Sequence, residues 1–347
     1  MKTTRKVELV PKIVMVDGLP GCGKTMISRI VSSFDRVEKL TYALKMELVC
    51  QLWFLGKLDS ETAQTMIRIH TDMSLYDLMM SRETNFRMKE LSSVFMDVRP
   101  WRYIKRLFEK GEEAIPSKVQ EERPILHLTT HQLLSMGRPL FDALGDRLVF
   151  IDMVRHPLYM IKQQTLNMEK LVTNVRYFNL HFEYNGQEIP SWAKGWEETF
   201  INSNDVEKAI YSIINIGNLI QENKNVLPVE FKDNIITIPF EDFVISPYDY
   251  ISNIASKLDS AVTPLTSKIM RQQKVPRKKF ADGIDLSIYR RCGWQKPEVG
   301  NDESGEFAIR RNWVLEQISE KAMNDFDELC KDYERTYMGG EQAVPGR

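Results

Sequence analysis

The sequence lacks paired cysteines, long apolar runs and an excess of charge of either sign. A net charge of −1 over 347 residues gives no global field that would attract nucleic acid or a membrane surface, so any anion site has to be local. The apolar stretch at 7–16 is broken by Glu8, Pro11 and Lys12, and we therefore expect neither a signal peptide nor a membrane span. The cysteines form no C-x-x-C pair, which disfavours a disulfide framework and a cysteine metal site; they are Cys22, Cys50, Cys292 and Cys330. We expect a cytoplasmic protein.

The composition is that of an ordinary globular protein, with 43% hydrophobic and 27% charged residues. The length suffices for one large α/β domain or two small ones. Because the sequence has no internal repeat and no clear linker, we predict a single domain over 1–347.

The most informative stretch is a glycine-rich turn near the N-terminus. Residues 13–17 form a short apolar run typical of a buried parallel strand. The sequence at 18–25 then matches G-x-x-x-x-G-K-[ST], and 26–34 has the apolar spacing of a helix. In this strand–turn–helix setting, backbone N–H groups and a helix N-terminus converge on an anion, so we predict a phosphate-binding loop.

Further strands and helices follow the loop in an α/β order. Two strand predictions end at polar pairs, the first at Thr130-His131 and the second at Arg155-His156. An Asn185-Gly186 turn predicts a hairpin. The predicted strands are 123–129, 147–154 and 234–239, the hairpin is 177–192, the helices are within 37–79 and at 100–108, 206–222, 247–258 and 306–333, and a basic loop covers 274–300.

In their order, five segments resemble the sulfotransferases that use 3′-phosphoadenosine-5′-phosphosulfate (PAPS). The loop at 18–29 is similar to the 5′-phosphosulfate loop, and Thr130-His131 is similar to the Thr-His element of that family. Residues 150–157 are similar to its 3′-phosphate strand, which ends V-R-x-P. The segment 238–243 resembles Tyr-Glu-Asp-Leu, and 275–279 lies where the family has a basic loop.

The resemblance implies a fold, a reaction and a set of site residues. The fold would be a three-layer α/β/α, P-loop NTPase-like domain with a mainly parallel central sheet, a core over about 12–295, a helical insertion over about 37–120 and a C-terminal helix over about 306–333. The reaction would move a sulfo group from PAPS to a hydroxyl or amine of a small-molecule acceptor, leaving 3′,5′-bisphosphoadenosine (PAP), with no metal. Lys24 and His131 would be catalytic. The cofactor would contact Gly21, Cys22, Gly23, Lys24, Thr25, Met26, Arg155, Gln163, Phe240, Arg277, Lys278 and Lys279, and the acceptor would contact Thr84, Asn85 and Arg87.

The chemistry of three of these side chains suits the implied reaction. Lys24 can neutralise charge on the bridging oxygen as the S–O bond breaks. Histidine titrates near neutral pH, so His131 can take a proton from the acceptor. Arg155 offers a planar fork to a phosphate. His127, in contrast, lies inside a strand and is expected in the core.

The sequence also departs from the family pattern, and two alternatives stay open. The usual loop is P-K-S-G-T-T, whose lysine is replaced here by Gly21, and the family's Ser and Tyr are replaced by Gln163 and Phe240. An ATP-dependent small-molecule kinase would use Lys24 and Thr25, with Asp152 helping to hold Mg²⁺ and a lid made by Arg290 and Arg291. The other alternative is a nucleotide-binding protein without catalysis. We expect no nucleic-acid or membrane partner and allow for a homodimer.

Overall fold

The computed structural model describes residues 2–88, 90, 92–171, 174–175, 177–284, 290 and 302–339. Its centre is a five-stranded sheet in the order β2-β3-β1-β4-β7, in which all neighbouring strands are parallel. A separate antiparallel pair, β5 and β6, forms the hairpin predicted around Asn185-Gly186. The strands are β1 Lys12–Asp17, β2 Thr41–Tyr42, β3 Ile125–Thr129, β4 Leu148–Val154, β5 His181–Tyr184, β6 Gln187–Pro190 and β7 Ile235–Pro239.

The central strands are buried because their sequences are apolar along nearly their whole length. In β1 every residue after Lys12 is buried, and all five residues of β3 are buried. Continuous apolar runs of this kind suit parallel strands that are covered on both faces. His127 lies inside β3 with no exposed surface and its Nδ1 is 3.0 Å from the Ser32 hydroxyl, which confirms it as a core residue.

Helices surround the sheet and complete the α/β fold that the sequence predicts. None of those in the described part of the chain combines the length and apolar content needed to cross a bilayer. They are α1 Lys24–Val31, α2 Leu44–Phe54, α3 Ser60–Met79, α4 Pro100–Arg106, α5 Ile115–Glu122, α6 Arg138–Leu144, α7 Pro157–Met168, α8 Glu197–Asn202, α9 Asp205–Val226, α10 Val229–Lys232, α11 Phe240–Ile245, α12 Tyr248–Lys257, α13 Pro264–Gln272, α14 Glu303–Leu315 and α15 Glu320–Tyr337.

Two local predictions are wrong. The stretch at 37–79 is not entirely helical, because β2 pairs with Leu128 and Thr129 of β3 at the sheet edge. The single helix predicted over 306–333 is two helices, α14 and α15. Glu207 accepts hydrogen bonds from both the backbone N–H and the hydroxyl of Ser319, and Ser319 in turn caps α15, so the chain restarts there instead of continuing α14.

The strand order identifies the edge where ligands are expected. The connection that leaves β1 leads to β2 on one side of the sheet, whereas the connection that leaves β4 leads to β7 on the other side. The carboxyl ends of β1 and β4 therefore form a topological switch point, the usual binding crevice of open parallel sheets. The glycine-rich loop and Arg155 follow these two strands directly.

Candidate functional site

The loop after β1 requires glycine at two positions because of close contacts. Gly18, with φ 137°, approaches β4 so closely that a Cβ atom would lie 2.4 Å from the carbonyl oxygen of Met153. Gly23, with φ 101°, would place a Cβ atom 2.5 Å from the ring of Phe240. A side chain at either position would force the loop away from β4 or from the start of α11. The glycine spacing thus builds a tight loop packed between two other segments.

Helix α1 begins at Lys24, directly after this loop. Its N-cap residue is Gly23, so no side chain occupies the helix end. The N–H groups of Met26 and Ile27 donate to the carbonyl of Gly23, and those of Lys24 and Thr25 precede these first bonds of the helix. The Lys24 ammonium donates to the carbonyls of Gly18 and, at 3.1 Å, Leu19, and it therefore lies across the mouth of the loop. Backbone donors and a cation at one place are the features that the predicted anion site requires.

Two other loop residues lie against the body of the protein. Cys22 is buried, and burial raises the pKa of its thiol. Thr25 is half-buried and lines a cavity of about 30 Å³ together with Lys39 and Ser93. Neither side chain is placed to act as an exposed nucleophile.

Asp17 connects the loop strand to the turn that follows β3. Its buried carboxylate accepts the Thr130 hydroxyl at 2.8 Å and the backbone N–H groups of Leu133 and Leu134, both at 3.0 Å. Burial raises the pKa of Asp17, and the charge of Lys24 and these donors oppose that rise. Since Thr130 precedes His131, this network fixes the position of the turn relative to the loop.

His131 is held at the carboxyl end of β3 by a glutamate of α2. Oε1 of Glu47 accepts the backbone N–H of His131 at 2.7 Å and lies 3.1 Å from its Nδ1. The imidazole stacks on Tyr42, with ring centroids 6.5 Å apart and ring planes 6° from parallel. The Glu47 side chain is 9% exposed and the His131 side chain 46% exposed, so the imidazole remains accessible.

Arg155 is the cation on the β4 side of the loop. Its Nη1 donates to the carbonyl of Gly21 at 2.8 Å, and its guanidinium carbon lies 4.0 Å from the Phe240 ring centroid and 5.0 Å from that of Tyr159. The side chain is 15% exposed, and desolvation lowers its pKa, while Glu241, 3.9 Å from Nε, opposes that effect. Arginine keeps its charge under such burial.

Other residues predicted to contact the cofactor meet at the same place. Arg277 lies 5.4 Å from the Phe240 ring centroid, on a different segment from Arg155, and its Nη2 is 3.4 Å from the sulfur of Met26. Gln163 of α7 approaches the loop so that a Cβ atom on Gly21 would be 3.2 Å from its side-chain oxygen. The structure thus brings the loop, α7, the start of α11 and the basic loop together.

Several other predicted site residues are exposed or hydrogen-bonded within their own segment. Lys278 and Lys279 are exposed beyond Arg277. Asn85 donates to Glu90 and Ser92 within its own loop, while its Oδ1 accepts the backbone N–H of Arg87 at 2.8 Å. Local contacts of this kind account for the positions of Asn85 and Arg87, and the Thr84 hydroxyl likewise donates to the carbonyl of Arg82. Arg291 lies outside the described residues.

Asp152 of β4 is paired with a lysine. Its Oδ2 accepts the Lys224 ammonium of α9 at 2.7 Å, and the Thr237 hydroxyl contacts both groups. The Asp152 side chain is 2% exposed. The carboxylate that a kinase would use for Mg²⁺ is therefore already neutralised by an ammonium group.

A cavity of about 600 Å³ opens at the switch point between β1 and β4. Gly18, Leu19 and Arg155 line it on the loop side, and residues of α9 and α15 form the opposite wall. Its volume is in the range of small-molecule sites, about 300–1,000 Å³. His131 is not among the residues that line it, since it follows β3 on the other side of β1.

Four residues of the site were missed by sequence reasoning: Asp17, Glu47, Lys224 and Glu241. Two of them could have been predicted from the sequence, because Asp17 ends an apolar strand and Glu241 lies within the Tyr-Glu-Asp-like segment. Glu241 accepts the backbone N–H of His156 and the Tyr333 hydroxyl and so holds the turn after Arg155.

Comparison with known proteins returns matches among solved structures. No protein-family model matches the chain, and no curated protein matches it in sequence. The chain is similar to the sulfotransferase domain of the olefin synthase from Synechococcus PCC 7002, with 12% identity, a TM-score of 0.46 and coverage of 96% of this chain and 98% of that one. It is also similar to the sulfotransferase domain from the curacin biosynthetic pathway, with 12% identity, a TM-score of 0.45 and coverage of 94% of this chain and 98% of that one. Mouse sulfotransferase SULT7A1 complexed with PAP has 12% identity, a TM-score of 0.39 and coverage of 96% of this chain and 88% of that one. These similar structures are sulfotransferases, the family that the sequence motifs resemble.

Proposed function

We propose that the protein transfers a sulfo group from PAPS to a hydroxyl or amine group of a small-molecule acceptor. The observation that carries the proposal is the pair of guanidinium groups beside the glycine-rich loop. Arg155 is bonded to the loop at Gly21, and Arg277 lies against the same Phe240 ring. A nucleotide with both a 3′-phosphate and a 5′-phosphosulfate needs cationic groups at two places, of which the loop alone provides one.

The residues present fit such a nucleotide. The loop N–H groups and Lys24 would hold its 5′ end, and Arg155, with Gln163 beside Gly21, would hold the 3′-phosphate. Of the remaining predicted contacts, Gly23, Met26, Phe240 and Arg277 lie together beside the loop and would contact the adenosine and its phosphates. The others are Cys22, Thr25, Lys278 and Lys279, and their contact with the nucleotide stays a prediction. Arginine suits the 3′-phosphate because two parallel N–H donors match two phosphate oxygens.

When bound, PAPS supplies an activated sulfo group. Lys24 would exchange the carbonyls of Gly18 and Leu19 for phosphate oxygens and stabilise the charge that develops there. His131 would take the proton of the acceptor hydroxyl or amine. We further place the protein in the cytoplasm, without a nucleic-acid or membrane partner.

Calorimetric titration with PAP and with ATP–Mg²⁺ tests the donor class. We expect PAP to bind without metal and PAPS turnover, followed on a panel of phenols, alcohols and amines, to persist in EDTA, because a sulfo group carries less negative charge than a phosphoryl group. Mg²⁺-dependent turnover of ATP without binding of PAP would refute the proposal. Binding of PAP without transfer to any acceptor class would favour the non-catalytic alternative.

A further inference from the structure

We propose that Glu47 is a positioning residue that fixes the imidazole of His131 with its proton on Nδ1, so that Nε2 is the atom that receives the acceptor proton. The proton-transfer part rests on the proposed sulfotransferase function. The assignment of the tautomer does not, because it follows from the contact between the two side chains.

The hydrogen bond between Glu47 and His131 determines which ring nitrogen carries the hydrogen. Oε1 of Glu47 lies 3.1 Å from Nδ1 of His131. An ionised carboxylate can only accept hydrogen bonds, so a neutral imidazole in this contact has to carry its hydrogen on Nδ1. Its Nε2 then has the free lone pair that a general base needs.

Several contacts hold the imidazole ring of His131 and the backbone around it in place. The same Glu47 oxygen accepts the backbone N–H of His131 at 2.7 Å, and Tyr42 lies against the ring nearly parallel to it. On either side along the chain, the Thr130 hydroxyl donates to Asp17 and the Gln132 N–H donates to the carbonyl of Gly18. Backbone, ring plane and one ring nitrogen are therefore all fixed beside the loop, which is what a preorganised base requires.

A stabilising ion pair is the ordinary explanation for a contact between Glu47 and His131. Exposed pairs of this type contribute little to stability, and a buried carboxylate is costly unless it is well paired. The Glu47 carboxylate is buried, yet both hydrogen bonds that it accepts among the described residues come from His131, whose ring is half exposed. A buried acceptor holding an accessible imidazole resembles the carboxylate–histidine pairs that orient catalytic bases.

The proposed step couples transfer of the sulfo group to transfer of the acceptor proton. The acceptor oxygen or nitrogen forms a bond to sulfur while the bond from sulfur to the bridging oxygen breaks, and that electron pair stays on the 5′-phosphate. The acceptor proton moves to Nε2 and is later released to solvent. The carboxylate of Glu47 stabilises the positive imidazole through the Nδ1–H bond without taking the proton.

Imidazole ¹⁵N spectra and a double-mutant cycle test the proposal. In wild-type protein above neutral pH, the His131 signals, assigned by their loss in His131→Ala, should show a protonated Nδ1 and an unprotonated Nε2. In Glu47→Ala this preference should disappear, and Glu47→Gln, which keeps an acceptor oxygen, should retain it. The opposite tautomer in wild type would overturn the assignment whether or not the protein turns over PAPS.

The double-mutant cycle shows whether Glu47 affects turnover through the imidazole of His131. Glu47→Gln should lower kcat by about 10- to 100-fold, as expected when a charge-assisted bond to a catalytic imidazole is weakened, and leave PAP affinity unchanged. Glu47→Gln combined with His131→Ala should be no slower than His131→Ala alone, because Glu47 acts only through the ring. The control is Glu61→Gln, which removes the exposed Lys2 pair and should change nothing. Multiplicative losses in the double variant would refute the proposal.

Discussion

Replacing Arg155 gives the most direct test of how the site recognises its nucleotide. Each charge-assisted hydrogen bond contributes about 1.5–3 kcal/mol, and a guanidinium can form two of them to one phosphate. Arg155 already donates to the carbonyl of Gly21, so nucleotide binding exchanges part of that interaction. Counting one net bond, Arg155→Ala should weaken PAP binding at least about tenfold, since about 1.4 kcal/mol corresponds to a factor of ten. Arg155→Lys should recover only part of this loss, because an ammonium cannot reproduce the fork.

The same substitution should also reduce stability, which has to be separated from binding. Arg155 lies 4.0 Å from the Phe240 ring centroid, and a partly desolvated cation–π contact contributes about 0.5–2 kcal/mol. Arg147, at the opposite end of β4, provides a matched control. It is also partly buried, donates to Glu8 at 2.7 Å and to the carbonyl of Val10 at 3.0 Å, and has its pKa lowered by desolvation. Arg147→Ala should cost stability without changing PAP affinity.

Calorimetric titration of PAP and adenosine 5′-phosphosulfate into these variants is the measurement. The second ligand lacks the 3′-phosphate, so it should bind wild type and Arg155→Ala equally weakly. Circular dichroism and urea unfolding confirm that each variant is folded at the titration temperature. Unchanged PAP affinity in folded Arg155→Ala would refute the 3′-phosphate assignment, and equal losses for both ligands would indicate a general effect on the loop.

Three further predictions concern the loop and the core. Gly23→Ala places a Cβ atom 2.5 Å from the Phe240 ring, so it should lower the free energy of unfolding by about 1–3 kcal/mol and abolish measurable PAP binding. Gly56→Ala, at a position with φ 72° and open space around it, should affect neither PAP binding nor the loop. Urea unfolding and calorimetry check both variants. Lys24→Ala should lower the PAPS turnover rate by about 10² to 10³, measured at saturating donor. Burial lowers the pKa of His127 from 6.5 to about 3, so between these values only the unfolded state binds the proton and stability falls as the pH falls, by about 1.4 kcal/mol per pH unit. His127→Gln should lack this part of the slope in urea unfolding at pH 6.5, 5.5 and 4.5, and identical slopes would contradict it.

The local part of the site could be predicted from sequence because its signals are contiguous. The glycine spacing after β1 and the Thr-His and Arg-His pairs after β3 and β4 each lie within a few residues of an apolar run. Parallel strands end at one edge, so these segments are expected there together. The two-residue strand β2 gives no periodicity to detect, and the helix break at Ser319 depends on Glu207, 112 residues away.

The long-range pairs could not be predicted, because nothing in either segment marks its partner. Glu47 and His131 are 84 residues apart, and Asp152 and Lys224 are 72 apart. Glu47 and Lys224 each lie on a helix, where a charged residue ordinarily indicates a solvated face. Only the tertiary packing, of α2 against α3 and α6 and of α9 against α7, turns these charges toward the sheet edge.

The pairing of Asp152 with Lys224 bears on which group transfer the loop can support. In P-loop phosphotransferases an acidic residue at this strand helps to hold Mg²⁺ against the β- and γ-phosphates. Here the ammonium of Lys224 is 2.7 Å from Asp152, and the Thr237 hydroxyl contacts both groups, so a divalent cation would have to displace a buried, hydrogen-bonded ion pair. The side chains beside the loop also include three cations, Lys24, Arg155 and Arg277, and Arg155 lies 3.9 Å from Glu241. These cations would neutralise a bound nucleotide through side chains. This supports the proposed transfer of a sulfo group over transfer of a phosphoryl group, which carries more negative charge.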